Sequence, residues 1–136
     1  MNPPETPSQT RTLVVGDVHG CARELQKLLS HVQPTRIILV GDLFTKGPDP
    51  VGVWNLIQQY QMEAVLGNHD AWLLKIVAGE VEPRPKHLRI VEQLDQRAPG
   101  WHSWLQQLPL FLELPAFTVV HAGLHPSGEQ AQTTPE

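Results

Sequence analysis

Cysteine is nearly absent from these 136 residues: Cys21 stands alone. An intrachain disulfide is thereby excluded, and the composition suits a reducing compartment. An excess of positive charge is also missing. Ten Lys and Arg against fourteen Asp and Glu leave a net charge of −4 and a pI near 5.9. That balance offers no electrostatic footprint for nucleic acid or an anionic membrane surface, although a local cluster can still hold phosphate. No apolar run approaches the roughly 18 residues needed to span a bilayer. The opening "MNPPETPSQT" lacks both the basic and the apolar region of a secretory signal. Together these absences point to a cytoplasmic, soluble chain with neither a nucleic-acid nor a membrane partner.

What is present is globular in composition, with 40% hydrophobic and 18% charged residues, and long enough for one domain. Residues 1–11 are rich in Pro, Thr and Gln and read as a disordered lead-in. "TLVVGDV" reads as a buried strand. In "CARELQKLLSHV", Leu25, Leu28, Leu29 and Val32 fall at i, i+3, i+4 and i+7, the spacing of an amphipathic helix. "RIILVGD" is a second apolar strand. Val53, Leu56, Ile57 and Tyr60 mark a second helix, "EAVLGN" a third strand, and "DAWLLKIVAG" a third helix with Asp70 as its N-cap. Strands apolar on both faces that alternate with helices predict βαβ units and a mostly parallel sheet. Beyond Pro83 and Pro85, "KHLRIVEQLDQR" and "GWHSWLQQL" read as helical, and "LFLEL" and "FTVVHA" as a hairpin around Pro115. Trp101 and Trp104 are expected in the core, and the short basic run "RPKHLR" on a solvated face. The domain is drawn at 12–126, with a polar tail over 127–136.

A quasi-repeat organises the first half. Three apolar strands end in Gly followed by Asp or Asn, in "LVVGDVHG", "IILVGDLF" and "AVLGNHD", and a fourth ends in "VVHAG". Ligands of open α/β sheets bind outside the carboxyl ends of the strands. Asp17, His19, Asp42, Asn68, His69 and His121 are therefore expected at one edge. Such oxygen and nitrogen donors suit Mn, Fe, Zn or a similar divalent ion. A carboxylate such as Asp42 can bridge two ions about 3.5–4 Å apart, an arrangement suited to displacement at phosphorus.

The ordered set "GDVHG", "GDLFTKGPD", "GNHD" and "VHAGL" resembles the signature of calcineurin-like metallophosphoesterases, over about residues 12–126. The nearest branch is the phosphoprotein-phosphatase type that also includes bacterial diadenosine tetraphosphatases. The resemblance implies the N-terminal part of an α/β/β/α sandwich carrying two divalent ions, manganese first, with iron, zinc or nickel as alternatives. It implies that Asp17 and His19 hold the first ion, that Asp42 bridges, and that Asn68 and His121 hold the second. His69 would protonate the leaving oxygen, and Lys46 and Asn68 would contact phosphate. The implied activity is hydrolysis of a phosphomonoester (of a protein or small molecule) or of a nucleotide polyphosphate by metal-bound hydroxide.

Two departures from the family pattern qualify that reading. Where the family has Gly-Asp-x-x-Asp-Arg-Gly, this chain has Gly41-Asp42-Leu43-Phe44-Thr45-Lys46-Gly47. Thr45 thus replaces an Asp that supports the general-acid His, and Lys46 offers a point charge in place of a bidentate Arg. The family's further metal-binding His, in a Gly-His motif, has no counterpart up to Glu136, so the chain reads as truncated at its C-terminus. The alternative is a catalytically weak or silent fragment that retains metal or phosphate binding. Oligomeric state is left open.

Overall fold

The structure is a computed structural model that describes residues 11–121. The lead-in before Arg11, the last residues of the 12–126 domain and the tail over 127–136 lie outside the described residues.

Three βαβ-linked strands form the centre. They are β1 (Thr12–Val15), β2 (Arg36–Leu39) and β3 (Glu63–Ala64), joined by α1 (Ala22–Val32) and α2 (Pro50–Tyr60). The order is β1-β2-β3 with both pairings parallel: Thr12 lies opposite Arg36, Val15 opposite Leu39, and Leu39 opposite Ala64. Then follow α3 (Asn68–Val77), α4 (Pro85–Arg97), α5 (Trp101–Gln106) and an antiparallel hairpin of β4 (Phe111–Glu113) and β5 (Thr118–Val120).

Side-chain alternation divides β2 between two layers. Ile37 and Leu39 join the helical core with Leu25, Leu29, Val53, Ile57 and Leu73, whereas Ile38 and Val65 meet Val119 of the hairpin. The parallel sheet is thus sandwiched between helices and a second, antiparallel layer. Trp101 and Trp104 pack inward as expected. Trp101 Nε1 donates to Asp95 Oδ1 at 2.9 Å, and the Trp104 ring meets that of Trp54 edge-on at 5.6 Å.

The first strand departs from its expected burial on both faces. Val14 is 40% exposed, although its partner in register, Ile38, is fully buried. The hairpin covers only the β2 and β3 side of that face among the described residues. Leu28 and Tyr60, the flanks of two helical stripes, are likewise exposed.

Arg36 ties β2 to β3 through a bidentate pair, Nε to Glu63 Oε2 at 2.6 Å and an Nη to Oε1 at 2.8 Å. The hydrogen bond from Arg36 holds the Glu63 carboxyl below its ordinary value. A depressed folded-state pKa contributes stability above the unfolded value, and that contribution is lost as pH falls through the folded one. Both side chains are about 40% exposed, so solvent screening limits the contribution to roughly 0.5 kcal/mol. Glu63→Gln should therefore shift urea stability by no more than that at pH 7 and by less at pH 3.

Candidate metal centre

Three loops meet at the carboxyl ends of β1, β2 and β3, stapled through their backbones. His19 N–H donates to Asp42 O at 2.8 Å, Gly20 N–H to Leu43 O at 2.7 Å, and Asp49 N–H to Gly20 O at 2.9 Å. These bonds join the first loop to the second. The second and third are joined by one side chain, Asp70, which is fully buried. Its Oδ2 accepts from Asp42 N–H and Gly67 N–H, both at 2.8 Å, and its Oδ1 from Leu43 N–H at 2.9 Å. Burial pushes the Asp70 carboxyl upward, and the three N–H donors oppose that shift.

Asp70 is not the N-cap of α3; Gly67 is, and Asp70 stands at the third helical position. From there it reaches back to the cap N–H and across to the Asp42 loop, two roles that a cap residue could not combine. The approach leaves no room for side chains at the crossing. A Cβ on Gly41 would lie 2.6 Å from Gly67 N, and one on Gly67 would strike Asp42 Oδ1.

On this frame the donors converge on Asp42, itself buried. Ligand atoms of Asp17, Asp42 and His121 lie within 4.8 Å of one another, the one such grouping of three or more His, Cys, Asp or Glu among the described residues. His121 Nε2 is 3.2 Å from Asp42 Oδ2, and His19 Nε2 is 3.9 Å from the same oxygen. The other nitrogen of each ring is engaged elsewhere. His121 Nδ1 lies 2.7 Å from Val40 O, and His19 Nδ1 lies 3.4 Å from Thr45 Oγ1.

A backbone carbonyl only accepts, so the Nδ1 of His121 carries a proton, and its Nε2 is turned to a carboxylate oxygen. Such a contact requires a proton or a cation between the two atoms. Metal-bound imidazoles are fixed in this way, the distal N–H held by a carbonyl or hydroxyl and the bare nitrogen on the ion. The donor set therefore fits a divalent ion. The backbone agrees: Asp17, His19 and Asp42 have φ of +33°, +46° and +54°. Left-handed conformations in non-glycine residues cost on the order of 1 kcal/mol each and concentrate at functional sites.

The remaining residues singled out in the sequence fall around this cluster. Asn68 opens α3, and His69 N–H donates to Asp42 Oδ1 at 2.9 Å. The His69 ring meets that of His19 edge-on, with centroids 5.5 Å apart. The His69 N–H lies on Oδ1 of Asp42, and both imidazoles face Oδ2. Lys46, in a left-handed conformation (φ +72°), lines a neighbouring cavity with Lys86 and Arg89. Thr45 is buried against His19 and contributes to orienting that ring. Its hydroxyl therefore belongs to the His19 side of the site, whereas the family pattern pointed to support for His69.

Comparison with known proteins follows from this geometry. Residues 10–134 match the calcineurin-like phosphoesterase family. The chain belongs to that family. Curated relatives of this calcineurin-like phosphoesterase include several named symmetrical bis(5'-nucleosyl)-tetraphosphatase. The one from Photorhabdus laumondii is 37% identical over 123 residues, covering 85% of this chain and 45% of that protein. The one from Edwardsiella ictaluri is 38% identical over 126 residues, covering 85% and 44%. The chain thus spans a little under half the length of these relatives. A solved structure assigned as a diadenosine tetraphosphatase superposes with a TM-score of 0.74 at 35% identity, covering 94% of this chain and 57% of the other. A metallophosphoesterase from Sphaerobacter thermophilus, at 23% identity and a TM-score of 0.64, covers 80% of this chain and 45% of its own and shares the fold.

Proposed function

We propose that this chain carries the metal-binding portion of a phosphoesterase that cleaves a phosphoanhydride bond of a nucleotide polyphosphate. The observation that carries this reading is the convergence of two imidazole Nε2 atoms on Asp42 Oδ2, each ring with its Nδ1 held elsewhere. The tetraphosphatase names of the relatives favour the polyphosphate over a phosphomonoester or phosphoprotein. Two divalent ions, manganese first, would be held by Asp17, His19 and Asp42 on one side and by Asp42, Asn68 and His121 on the other. Ions bound there supply Lewis acidity at the phosphoryl oxygens and lower the pKa of water.

The chain's own residues supply positioning and a proton. Asn68 and Lys46 orient phosphate oxygens. As water attacks phosphorus in line, releasing a proton to solvent, and the bond to the leaving oxygen breaks, His69 gives its proton to that oxygen and is reprotonated from solvent. Cys21, the lone thiol, and the absence among the described residues of a helix long and apolar enough to cross a membrane are compatible with the cytoplasm.

The test is Mn²⁺-dependent turnover of a dinucleoside polyphosphate, p-nitrophenyl phosphate and an alkyl phosphate. A poor leaving group needs the proton most. His69→Ala should therefore reduce kcat on the alkyl phosphate by roughly 10²–10⁴-fold and much less on p-nitrophenyl phosphate. Equal losses on both would remove the proton-donor role. A second reading, metal binding without turnover, is favoured by one observation: the His69 ring has no carboxylate partner among the described residues. Stoichiometric Mn²⁺ binding with no hydrolysis of any of the three substrates would establish it.

A further inference from the structure

Beside the metal centre lies a cavity of about 280 Å³, lined by Asn68, His69 and Trp72 of α3 and by Arg84, Lys86 and His87 at the start of α4. It shares Asn68 and His69 with the reactive edge and is otherwise unused by the mechanism above. We propose that this cavity is a nucleoside-binding subsite in which Trp72 stacks a base while Arg84 and Lys86 hold the phosphates next to the one cleaved. The proposal deepens the phosphoesterase reading and rests on it for which phosphate lies at His69.

Charge is the first argument. In a chain of net charge −4, the cavity wall carries two cations that form no ion pair among the described residues. The first turn of α4 contains no acidic residue, and Arg84, its N-cap, makes no side-chain cap bond. Cations at the positive end of a helix are disfavoured until an anion neutralises them. Burial first, and then the neighbouring Lys86, Arg84 and His69, hold the His87 imidazole below its ordinary value. The His87 Nδ1 is buried with no hydrogen-bond partner, the one side-chain atom of that kind among the described residues.

Extent is the second argument. Lys86 also lines the adjoining cavity of Lys46 and Arg89, so the cationic wall continues past the site of a single phosphate. A monoester would leave most of it unmatched, whereas a polyphosphate follows it.

Shape is the third. Trp72 is 38% exposed on the cavity wall, while Trp54 and Trp101 are buried in the core. Lys75 Nζ stands 6.0 Å from the Trp72 ring centroid and adds another cation beside it. An indole at the edge of a cationic groove is a stacking platform for a base, a contact indifferent to base identity. The volume sits near the lower limit of small-ligand pockets, which suits one nucleoside better than a protein segment.

The test compares two ligands that share a P–C–P group and differ by one nucleoside, α,β-methylene-ADP and methylenediphosphonate. Binding is measured by calorimetry at equal free Mn²⁺. The wild-type chain should bind the nucleotide roughly tenfold tighter or more. Trp72→Ala should erase that difference and Trp72→Phe should keep most of it. The double variant Arg84→Ala/Lys86→Ala should weaken both ligands at least tenfold. Equal affinities in the wild type, an undiminished nucleotide preference in Trp72→Ala, or unchanged affinities in the double variant would each overturn the subsite. These readouts are independent of turnover, so a chain that hydrolyses nothing removes the phosphoesterase reading without deciding this one. Thermal melts of the variants, all altered at exposed positions, verify that each is folded.

Discussion

Asp70→Ala should lower the stability of the fold by ~3–5 kcal/mol, since each buried N–H left without an acceptor costs about 1–3 kcal/mol and three are affected. Those donors, the N–H groups of Asp42, Leu43 and Gly67, belong to two different loops. The effect is therefore larger than the loss of one helix cap, about 1 kcal/mol. It should also spread to the metal centre, because the backbone of Asp42 would lose its tether. Asp70→Asn separates the contributions. With its carbonyl where Oδ2 now sits, Asn keeps two of the three bonds and sets an NH₂ against Leu43 N–H, so about half the loss is expected. Urea denaturation followed by circular dichroism measures both variants. A loss below about 1 kcal/mol for Asp70→Ala would show that the clamp is dispensable.

Mn²⁺ should raise the melting temperature by roughly 10 °C at a concentration about a hundredfold above its dissociation constant. That ratio corresponds to about 2.7 kcal/mol of linkage stabilisation, and a domain of this size gains a few degrees per kcal/mol. Asp42→Asn should abolish most of the shift while leaving the metal-free fold nearly unchanged. The amide oxygen can still accept His69 N–H, but the charge facing both imidazoles is gone. EDTA should have little effect on the variant and should return the wild type to its metal-free melting point. A variant that still gains the full shift would place the ion somewhere other than on Asp42.

The sequence displays the first half of this architecture well, for a physical reason. Strands such as "RIILVGD", enclosed by helices on one face and the hairpin on the other, must be apolar throughout, and that pattern survives without knowledge of partners. The positions of Asp17, His19, Asp42 and His121 follow from where such strands end. Asp70 was harder to place. It looks like a helix cap because it precedes an apolar stripe, but its partners at Asp42 and Leu43 are backbone groups 28 and 27 residues away, and no side-chain pattern records a backbone partner. Thr45 failed for the same reason: its contact with His19 depends on how two loops cross. The basic run "RPKHLR" was legible as charge, but its place at the rim of the metal centre depends on the packing of α4 beside α3.

The His121 contact with Val40 spans 81 residues, and this sets the order in which the centre comes into being. During synthesis Asp17, His19, Asp42 and His69 emerge first, and His121, just past the second strand of the hairpin, follows roughly fifty residues later. At translation speeds of about 5–20 residues per second that interval is roughly 3–10 s. Until then Asp17, His19 and Asp42 stand open on the side that His121 closes, so a donor set drawn from both ends of the described chain is complete only once the hairpin has docked on β2.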